Sequence, residues 1–387
     1  MFNYDAQEIA KKIMESVQKE YSELKKLNVM ILGKTGVGKS TLINNMFNEK
    51  LADVGVGRPI TRKIREKTKE DYPLAIYDTP GLELSGENSV KELLDDVVEV
   101  VDKGVKSGDI NKAIHCIWYC ISTPSHRIEQ GEIDFLKDFL KKTSGYSLPV
   151  IVVLTQSYSK SDANTLKKEI EKENLPIACI VPILAENFQL DEFTVKAYGL
   201  EQLSDIMHSV LPEGVRKTFV SVQKANIDLK KAKAQAVVAS SAAAAAATGA
   251  APIPFADAAV LVPEQIAMLA AITAVFGLPA EKRTIVPIIS ATVGTMGTTV
   301  IGRTIASSLL KLIPGAGSAV GGVISATTAA ALTTALGEAY ISVMVKICKG
   351  ELDVKDLDSK ATKLEMANIF AEKLKIKKGD DAEQCRN

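Results

Sequence analysis

One eight-residue stretch constrains the fold of this chain more than any other part of its sequence. Residues 33–40 read Gly-Lys-Thr-Gly-Val-Gly-Lys-Ser, a complete G-x-x-x-x-G-K-[ST] loop, and lie between the apolar run 29–32 and a helix-like segment. Glycines in such a loop let backbone N–H groups come close to a phosphate chain, and the helix that follows adds positive potential. The motif therefore predicts a strand, a loop and a helix that together bind a nucleoside triphosphate.

The polar residues of this loop have distinct expected roles. The Lys39 ammonium provides a cation for the β- and γ-phosphate oxygens, and the Ser40 hydroxyl is a predicted ligand of Mg²⁺. The other residues of this stretch that are predicted to bind nucleotide are Gly33, Lys34, Thr35, Gly36, Val37, Gly38 and Thr41.

A second motif, Asp78-Thr79-Pro80-Gly81, follows the apolar run 74–77. A carboxylate at such a strand end can hold Mg²⁺ through water, and the N–H of Gly81 can contact a γ-phosphate. Between the two motifs, Thr61 is expected to close over Mg²⁺ and the γ-phosphate, and a hairpin threonine without a metal role is the alternative. The predicted catalytic residues are thus Lys39, Thr61 and Gly81, and the predicted metal ligands are Ser40, Thr61 and Asp78.

The segment that begins at Thr155 partly matches the N/T-K/Q-x-D motif with which GTPases recognise guanine. Thr155 and Gln156 fit the first two positions, but Tyr158 stands where an aspartate would accept hydrogen bonds from the base. Asp162 either reaches the base from four residues later or acts only as the N-cap of the next helix. A second partial match places Ala185 beside the base.

The position after Gly81 bears on hydrolysis. A water-positioning glutamine often stands there, and this chain has Leu82 instead. Because an apolar side chain cannot orient water, we expect slow intrinsic hydrolysis. Faster turnover would need a backbone contact, a residue from a partner or a second copy of the chain.

Strand-like and helix-like segments alternate from residue 27 to about residue 212, which predicts an α/β domain with helices covering a mostly parallel, six-stranded sheet. The predicted strands are 28–32, 63–69, 73–78, 114–121, 149–154 and 178–183. The predicted helices are 39–48, 88–106, 128–142, 162–173 and 198–211. The predicted domains are an N-terminal helix (1–26), the sheet domain (27–212), an all-α domain (213–350) and a C-terminal helix and tail (351–387).

Composition changes abruptly after residue 233. The segment 234–337 has seven charged residues among 104 and is rich in Ala, Gly, Ser and Thr. Its uncharged stretches 284–302 and 312–337 are long enough to span a bilayer but contain few of the large aliphatic residues that favour insertion. The sequence allows two interpretations: a tightly packed helical domain, or membrane insertion or reversible membrane association.

Net charge and cysteine content narrow the range of partners and compartments. The formal net charge is zero, so no global field favours nucleic acid, and we predict no nucleic-acid partner. The five cysteines include no C-x-x-C pair, which indicates free thiols in a reducing compartment. The first residues lack the pattern of a signal peptide, so we expect a cytoplasmic or membrane-associated protein.

Together, residues 33–40, Thr61, 78–81 and 155–156 resemble the translation-factor-related GTPases. Within these, the chain looks most like the Era/septin-like branch that includes the immunity-related GTPases. The C-terminal half resembles an uncharacterised Ala/Gly-rich helical domain attached to such GTPases. The resemblance implies GTP or GDP with Mg²⁺ as ligands, guanine rather than adenine as the base, GTP-dependent homodimers, and membrane contact through the helical domain.

Two functional hypotheses follow from these features. The first is a GTP-dependent switch with slow or dimer-activated hydrolysis, in which the nucleotide controls the helical half. The alternative is a membrane-associated or scaffold protein in which the nucleotide is structural and turnover is negligible.

Overall fold

The computed structural model describes residues 6–49, 58–59, 64–79, 87–249, 257–278, 326–353 and 359. Their strands are β1 Leu27–Leu32, β2 Arg58–Pro59, β3 Arg65–Thr68, β4 Leu74–Asp78, β5 Cys116–Ser122, β6 Val150–Thr155, β7 Cys179–Pro182, β8 Phe188–Gln189 and β9 Thr194–Val195. Their α-helices are α1 Ala6–Glu23, α2 Lys39–Met46, α3 Glu87–Lys106, α4 Gln130–Lys142, α5 Lys160–Lys172, α6 Leu200–Val210, α7 Glu213–Val222, α8 Ile227–Gly249, α9 Asp257–Phe276 and α10 Ala326–Cys348. Each strand and helix predicted between residues 27 and 212 is present, within a few residues of its predicted ends.

Contacts divide the chain into two compact units. The sheet unit is Leu24–Asn226, and the helical unit combines Met1–Glu23 with Ile227–Asn387. This grouping differs from the predicted boundary between residues 212 and 213, which placed α7 in the all-α domain. In the structure α7 belongs to the sheet unit. For example, the Thr218 hydroxyl donates a hydrogen bond to the carbonyl oxygen of Lys25 at 2.6 Å.

The sheet unit contains a seven-stranded sheet in the order β2-β3-β4-β1-β5-β6-β7. Strands β4, β1, β5, β6 and β7 are parallel, and β2 and β3 pair antiparallel at one edge. Every residue of β1 and β6 is buried, as expected for central parallel strands covered on both faces. The predicted mostly parallel sheet is confirmed, and the two-residue strand β2 adds a seventh member.

Side chains on the two faces of β5 illustrate how the sheet is covered. The indole of Trp118, the only tryptophan of the chain, stacks on Phe47 with ring centroids 5.8 Å apart and an interplanar angle of 7°. Cys116 and Cys120, four residues apart on the same face of the strand, are buried free thiols. On the opposite face, Tyr119 packs into the core beneath α3 and α4.

The helical unit has a core of its own. Ile13 and Val17 of α1 are fully buried in a cluster that also contains residues of α8, α9 and α10. The Tyr21 hydroxyl donates to the carbonyl oxygen of Leu278 at 2.7 Å. Because these contacts join α1 to α9, the predicted N-terminal helix groups with the helical unit.

Small residues let helices of this unit approach closely, as their abundance predicted. A Cβ atom added to Gly337 of α10 would lie 2.4 Å from the Cγ2 atom of Val238 on α8. The stretch Ala329–Cys348 is long and apolar enough to cross a membrane, and about half of it is buried within the protein. Of the uncharged stretches, 284–302 and residues 312–325 lie outside the described residues, as does the predicted helix in the C-terminal tail.

A buried lysine of α8 caps the C-terminal end of α9. The Lys230 ammonium is 1% exposed and donates to the carbonyl oxygens of Val275 and Phe276, both at 3.0 Å. These are carbonyls of the last helical turn, which a cation satisfies and stabilises. Burial lowers the pKa of Lys230 to about 7.

Candidate nucleotide-binding site

The glycine-rich loop leaves β1 at the edge of the sheet where the parallel strands have their carboxyl ends. β1 lies between β4 and β5, so the chain order reverses beside this loop, and open α/β sheets bind ligands at such a point. Gly33 has a φ of 141°, and a Cβ there would lie 2.4 Å from the carbonyl oxygen of Cys120. Gly38 has a left-handed backbone, with a φ of 88°, directly before α2. Both positions therefore require glycine.

Lys39 lies over the loop that precedes it. Its ammonium donates to the carbonyl oxygens of Gly33 and Lys34, both at 2.8 Å. Burial lowers the pKa of Lys39, and the nearby Asp78 carboxylate opposes this effect. The loop thus holds a partly desolvated cation at the place where the sequence motif predicts phosphate oxygens.

Asp78 ends β4 beside this cation. One carboxylate oxygen pairs with the Lys67 ammonium of β3 at 2.9 Å. The other, Oδ1, is buried and has no hydrogen-bond partner among the described residues. An orphaned carboxylate oxygen next to the loop fits the predicted role of Asp78 toward Mg²⁺ or its water ligands. Ser40, the other described metal candidate, lies exposed in the first turn of α2.

Thr155 and Gln156 fasten the end of β6 to the glycine-rich loop. The Thr155 hydroxyl lies 2.5 Å from the carbonyl oxygen of Val37. The Gln156 side chain donates to the carbonyl oxygen of Gly36 at 3.1 Å and accepts from the Ser122 hydroxyl at 2.6 Å. Both residues therefore support the loop.

An open cleft with ≈ 480 Å³ of empty space lies beside the loop. Gly38, Thr41, Thr155, Gln156 and Ala185, all predicted to bind nucleotide, line it. The cleft is also lined by residues that the sequence analysis did not assign to the site, namely Leu42, Tyr158, Ile183, Leu184, Glu186 and Phe188.

The structure corrects one of the two roles considered for Asp162. The N-cap of α5 is Ser159, whose hydroxyl accepts from the backbone N–H of Asp162 at 3.2 Å. Asp162 lies in the first turn, where a carboxylate interacts favourably with the helix dipole, and it does not line the cleft. The N-cap interpretation was wrong because serine, three residues earlier, is an equally good cap.

Phe188 was missed because the hairpin that carries it was not predicted. β8 and β9 form a two-stranded sheet, and Phe188 lies 4.2 Å from Tyr158 between ring centroids. Alternating apolar residues around Asp191-Glu192 are the sequence signal that could have revealed this hairpin.

Lys34, a residue of the glycine-rich loop, forms ion pairs with two glutamates at the start of α4 and does not line the cleft. Its ammonium pairs with Glu129 at 2.7 Å and with Glu132 at 3.3 Å. These two glutamates also form the capping box of α4. Thr61 and Gly81, two of the predicted catalytic residues, lie outside the described residues.

Comparison with known families agrees with this arrangement. Residues 28–176 match the family described as "50S ribosome-binding GTPase", and residues 219–365 match a domain of unknown function, DUF697. The fold, the loop and this match define a P-loop GTPase domain. GTP or GDP with Mg²⁺ is the ligand of such a domain, and the Lys39 cation and the free oxygen of Asp78 fit it.

Two related proteins indicate which GTPases this domain resembles. GTPase Era from Clostridium kluyveri is 28% identical over 191 residues, which cover 48% of this chain and 56% of that protein. Septin-9 from Rattus norvegicus is 27% identical over 166 residues, which cover 37% of this chain and 28% of that protein. The chain thus spans about half of Era and about a quarter of septin-9. It carries a GTPase domain related to those of Era and the septins, followed by a DUF697 domain.

Two solved structures are also similar in part. A probable GTP-binding protein engB is 20% identical, with a TM-score of 0.33 over 47% of this chain and 97% of that chain. Toc33 from Arabidopsis thaliana, in complex with Mg²⁺ and GMPPNP, is 18% identical, with a TM-score of 0.31 over 57% of this chain and 94% of that chain. Scores this low assign no function. The resemblance to immunity-related GTPases stays a prediction.

Proposed function

We propose that the chain is a GTP-dependent switch with slow intrinsic hydrolysis, in which the bound nucleotide controls the helical domain. The observation that supports this most is the position of Lys39 over the loop, with the free oxygen of Asp78 beside it. The Lys39 ammonium suits the phosphate oxygens of a nucleotide, and the Asp78 carboxylate suits the Mg²⁺ bound to the same nucleotide. Leu82 in the position of a water-orienting glutamine supports a low intrinsic rate.

The switching step rests on Thr61 and Gly81. In our proposal, the triphosphate orders the segments that carry these residues, because both can contact the γ-phosphate or its metal. These segments then alter the surface that the helical domain or a second copy of the chain meets. GTP-dependent homodimers would explain how a site without its own glutamine reaches useful turnover.

A second candidate is a membrane-associated or scaffold protein in which the nucleotide is structural. Leu82 favours it because an apolar side chain at that position cannot orient water, and α10 favours it because Ala329–Cys348 is long and apolar enough to span a bilayer. This candidate predicts nucleotide binding without measurable phosphate release.

Phosphate release from GTP, measured over a range of protein concentrations, separates the two candidates. We expect the rate per molecule to be low in dilute protein and to rise with concentration, since a second copy supplies what Leu82 cannot. Lys39→Ala is the matched control, and we expect it to lose GTP binding by at least about 100-fold because the main cation of the phosphate site is gone.

These measurements test the choice between switch and scaffold, the assignment of the site and the choice of guanine. Wild-type binding without release at any concentration would favour the scaffold. Lys39→Ala protein that is folded and binds GTP as the wild type does would refute the assignment of the site. Tighter binding of ATP than of GTP would refute the choice of guanine.

A further inference from the structure

We propose that the Glu186 carboxylate recognises the guanine base, taking over the role of the aspartate that Tyr158 replaces. The inference rests on the proposed function, because it assigns a reader to the base of the same nucleotide. It makes Glu186 a specificity-determining residue that the sequence pattern did not reveal.

The chemistry of guanine requires an acceptor-only group. Its N1–H and 2-amino group are adjacent donors, whereas adenine presents an unprotonated N1 acceptor at the same edge. An ionised carboxylate has two oxygens that accept and no hydrogen to donate, so it matches guanine and opposes adenine. Tyr158 cannot replace it, since a phenol offers only one oxygen and carries a hydrogen of its own to donate.

Glu186 is the only carboxylate among the described residues that line the cleft. Two of the other polar side chains of this lining, those of Gln156 and Thr155, are already engaged within the protein. The Gln156 amide donates a hydrogen bond to the Gly36 carbonyl oxygen and accepts one from the Ser122 hydroxyl. The Thr155 hydroxyl donates a hydrogen bond to a carbonyl oxygen of the glycine-rich loop. By contrast, the Glu186 side chain is exposed and makes no hydrogen bond or ion pair within the described part of the chain.

Flanking contacts fix the backbone on both sides of Glu186. Leu184 and Tyr198 exchange two backbone hydrogen bonds, of 3.1 and 2.9 Å. On the other side, the Asn187 side-chain oxygen accepts from the backbone N–H of Ala197 at 2.8 Å. The carboxylate is therefore carried by a short segment held at both ends, which lowers the entropic cost of binding a base.

An aromatic pair supplies the apolar part of the same cleft. The rings of Tyr158 and Phe188 lie 4.2 Å apart with an interplanar angle of 44°, and both are roughly one-third exposed. Exposed aromatic faces beside a carboxylate are suited to a flat heterocycle whose edge carries donors. Tyr158, at the aspartate position of the motif, thus contributes aromatic surface to the cleft. The negative charge that would recognise the base comes from Glu186, in the loop after β7.

The test replaces Glu186 with Gln and measures binding of GDP and of xanthosine diphosphate, with the full chain and Mg²⁺. Xanthine has N1–H and a carbonyl oxygen where guanine has the 2-amino group, so a glutamine amide fits xanthine better than guanine. We expect Glu186→Gln to weaken GDP binding roughly 10- to 100-fold and to strengthen binding of xanthosine diphosphate. Asp162→Asn, which alters the rival carboxylate outside the cleft, should leave both affinities unchanged.

Failure of this inference is distinguishable from failure of the proposed function. If Glu186→Gln binds GDP as tightly as the wild type, or if Asp162→Asn shows the loss instead, Glu186 is not the reader although the protein remains a guanine-nucleotide binder. If the wild type itself does not bind GDP, the proposed function falls. Buried Trp118 gives a fluorescence signal that verifies the fold of each variant.

Discussion

Two glycines of the same loop show how differently a single residue can be constrained. Gly33 and Gly36 both have positive φ values, of 141° and 78°. A Cβ at Gly33 would collide with β5, whereas nothing lies within 4 Å of a Cβ at Gly36. The G-x-x-x-x-G-K-[ST] motif specifies glycine at position 33 and allows any residue at position 36. Only the structure separates a requirement for space at Gly33 from one for backbone conformation at Gly36.

We expect Gly33→Ala to destabilise the sheet unit by roughly 2–4 kcal/mol, from backbone strain and overpacking together. Gly36→Ala is the matched control and should cost about 1 kcal/mol, since only the strain remains. Urea unfolding without nucleotide, followed by the fluorescence of Trp118, measures both. Equal losses in the two variants would contradict the close approach of Gly33 to β5.

Residues of the glycine-rich loop were easier to predict than the other residues that line the cleft beside it. The loop residues form one contiguous motif, and Lys39 lies where that motif places it. Glu186 and Phe188 could not be predicted in this way, because they reach the cleft only through the pairing of β8 with β9 and the return of the chain after β7. Asp162 illustrates the reverse case, in which a suitable residue close in sequence lies outside the cleft.

At the scale of elements, α1 shows that local pattern predicts a helix but not its partner. The four-residue recurrence of Ile13, Val17 and Tyr21 predicts one apolar stripe, and the structure has a helix over Ala6–Glu23. The pattern itself does not identify the surface against which this stripe packs. In the structure the helix packs against α9, more than two hundred residues away, because that is where a complementary apolar surface exists.

A charge within this stripe should destabilise the helical unit. We expect Val17→Asp to cost at least about 3 kcal/mol, because Val17 is fully buried and the new carboxylate would have no partner. Gln18→Asp places the same group on the exposed face of α1 and should cost less than about 1 kcal/mol. Thermal unfolding followed by circular dichroism compares the two, and similar Tm values would argue against burial of Val17.

The whole molecule combines a GTPase domain with a helical unit of very different composition. Helices α8 and α10 meet at the close contact between Gly337 and Val238, and Thr273 and Tyr340 join α9 and α10 through a hydroxyl pair at 2.8 Å. These features support a packed helical core in the described residues. Membrane association therefore requires that nucleotide change what this unit exposes, or that segments outside the described residues make the contact.

Liposome cosedimentation of the full chain tests this at the scale of the molecule. We expect more protein on liposomes with a non-hydrolysable GTP analogue than with GDP, because the proposed switch acts on the helical domain. Lys39→Ala should show no nucleotide dependence. Protein that stays in the supernatant in every nucleotide state would exclude membrane association as its role.

The sequence by itself determined the order of strands and helices in the GTPase domain, the phosphate loop and the residues around it. These depend on local periodicity and on a contiguous motif, both of which can be read along the chain. Only the tertiary structure decided that α1 packs on α9, that Lys67 pairs with Asp78, and that Glu186 and Phe188 share a cleft with Tyr158. Those contacts join residues that are distant in sequence, and the energy that selects them comes from burial and charge pairing, which no local pattern records.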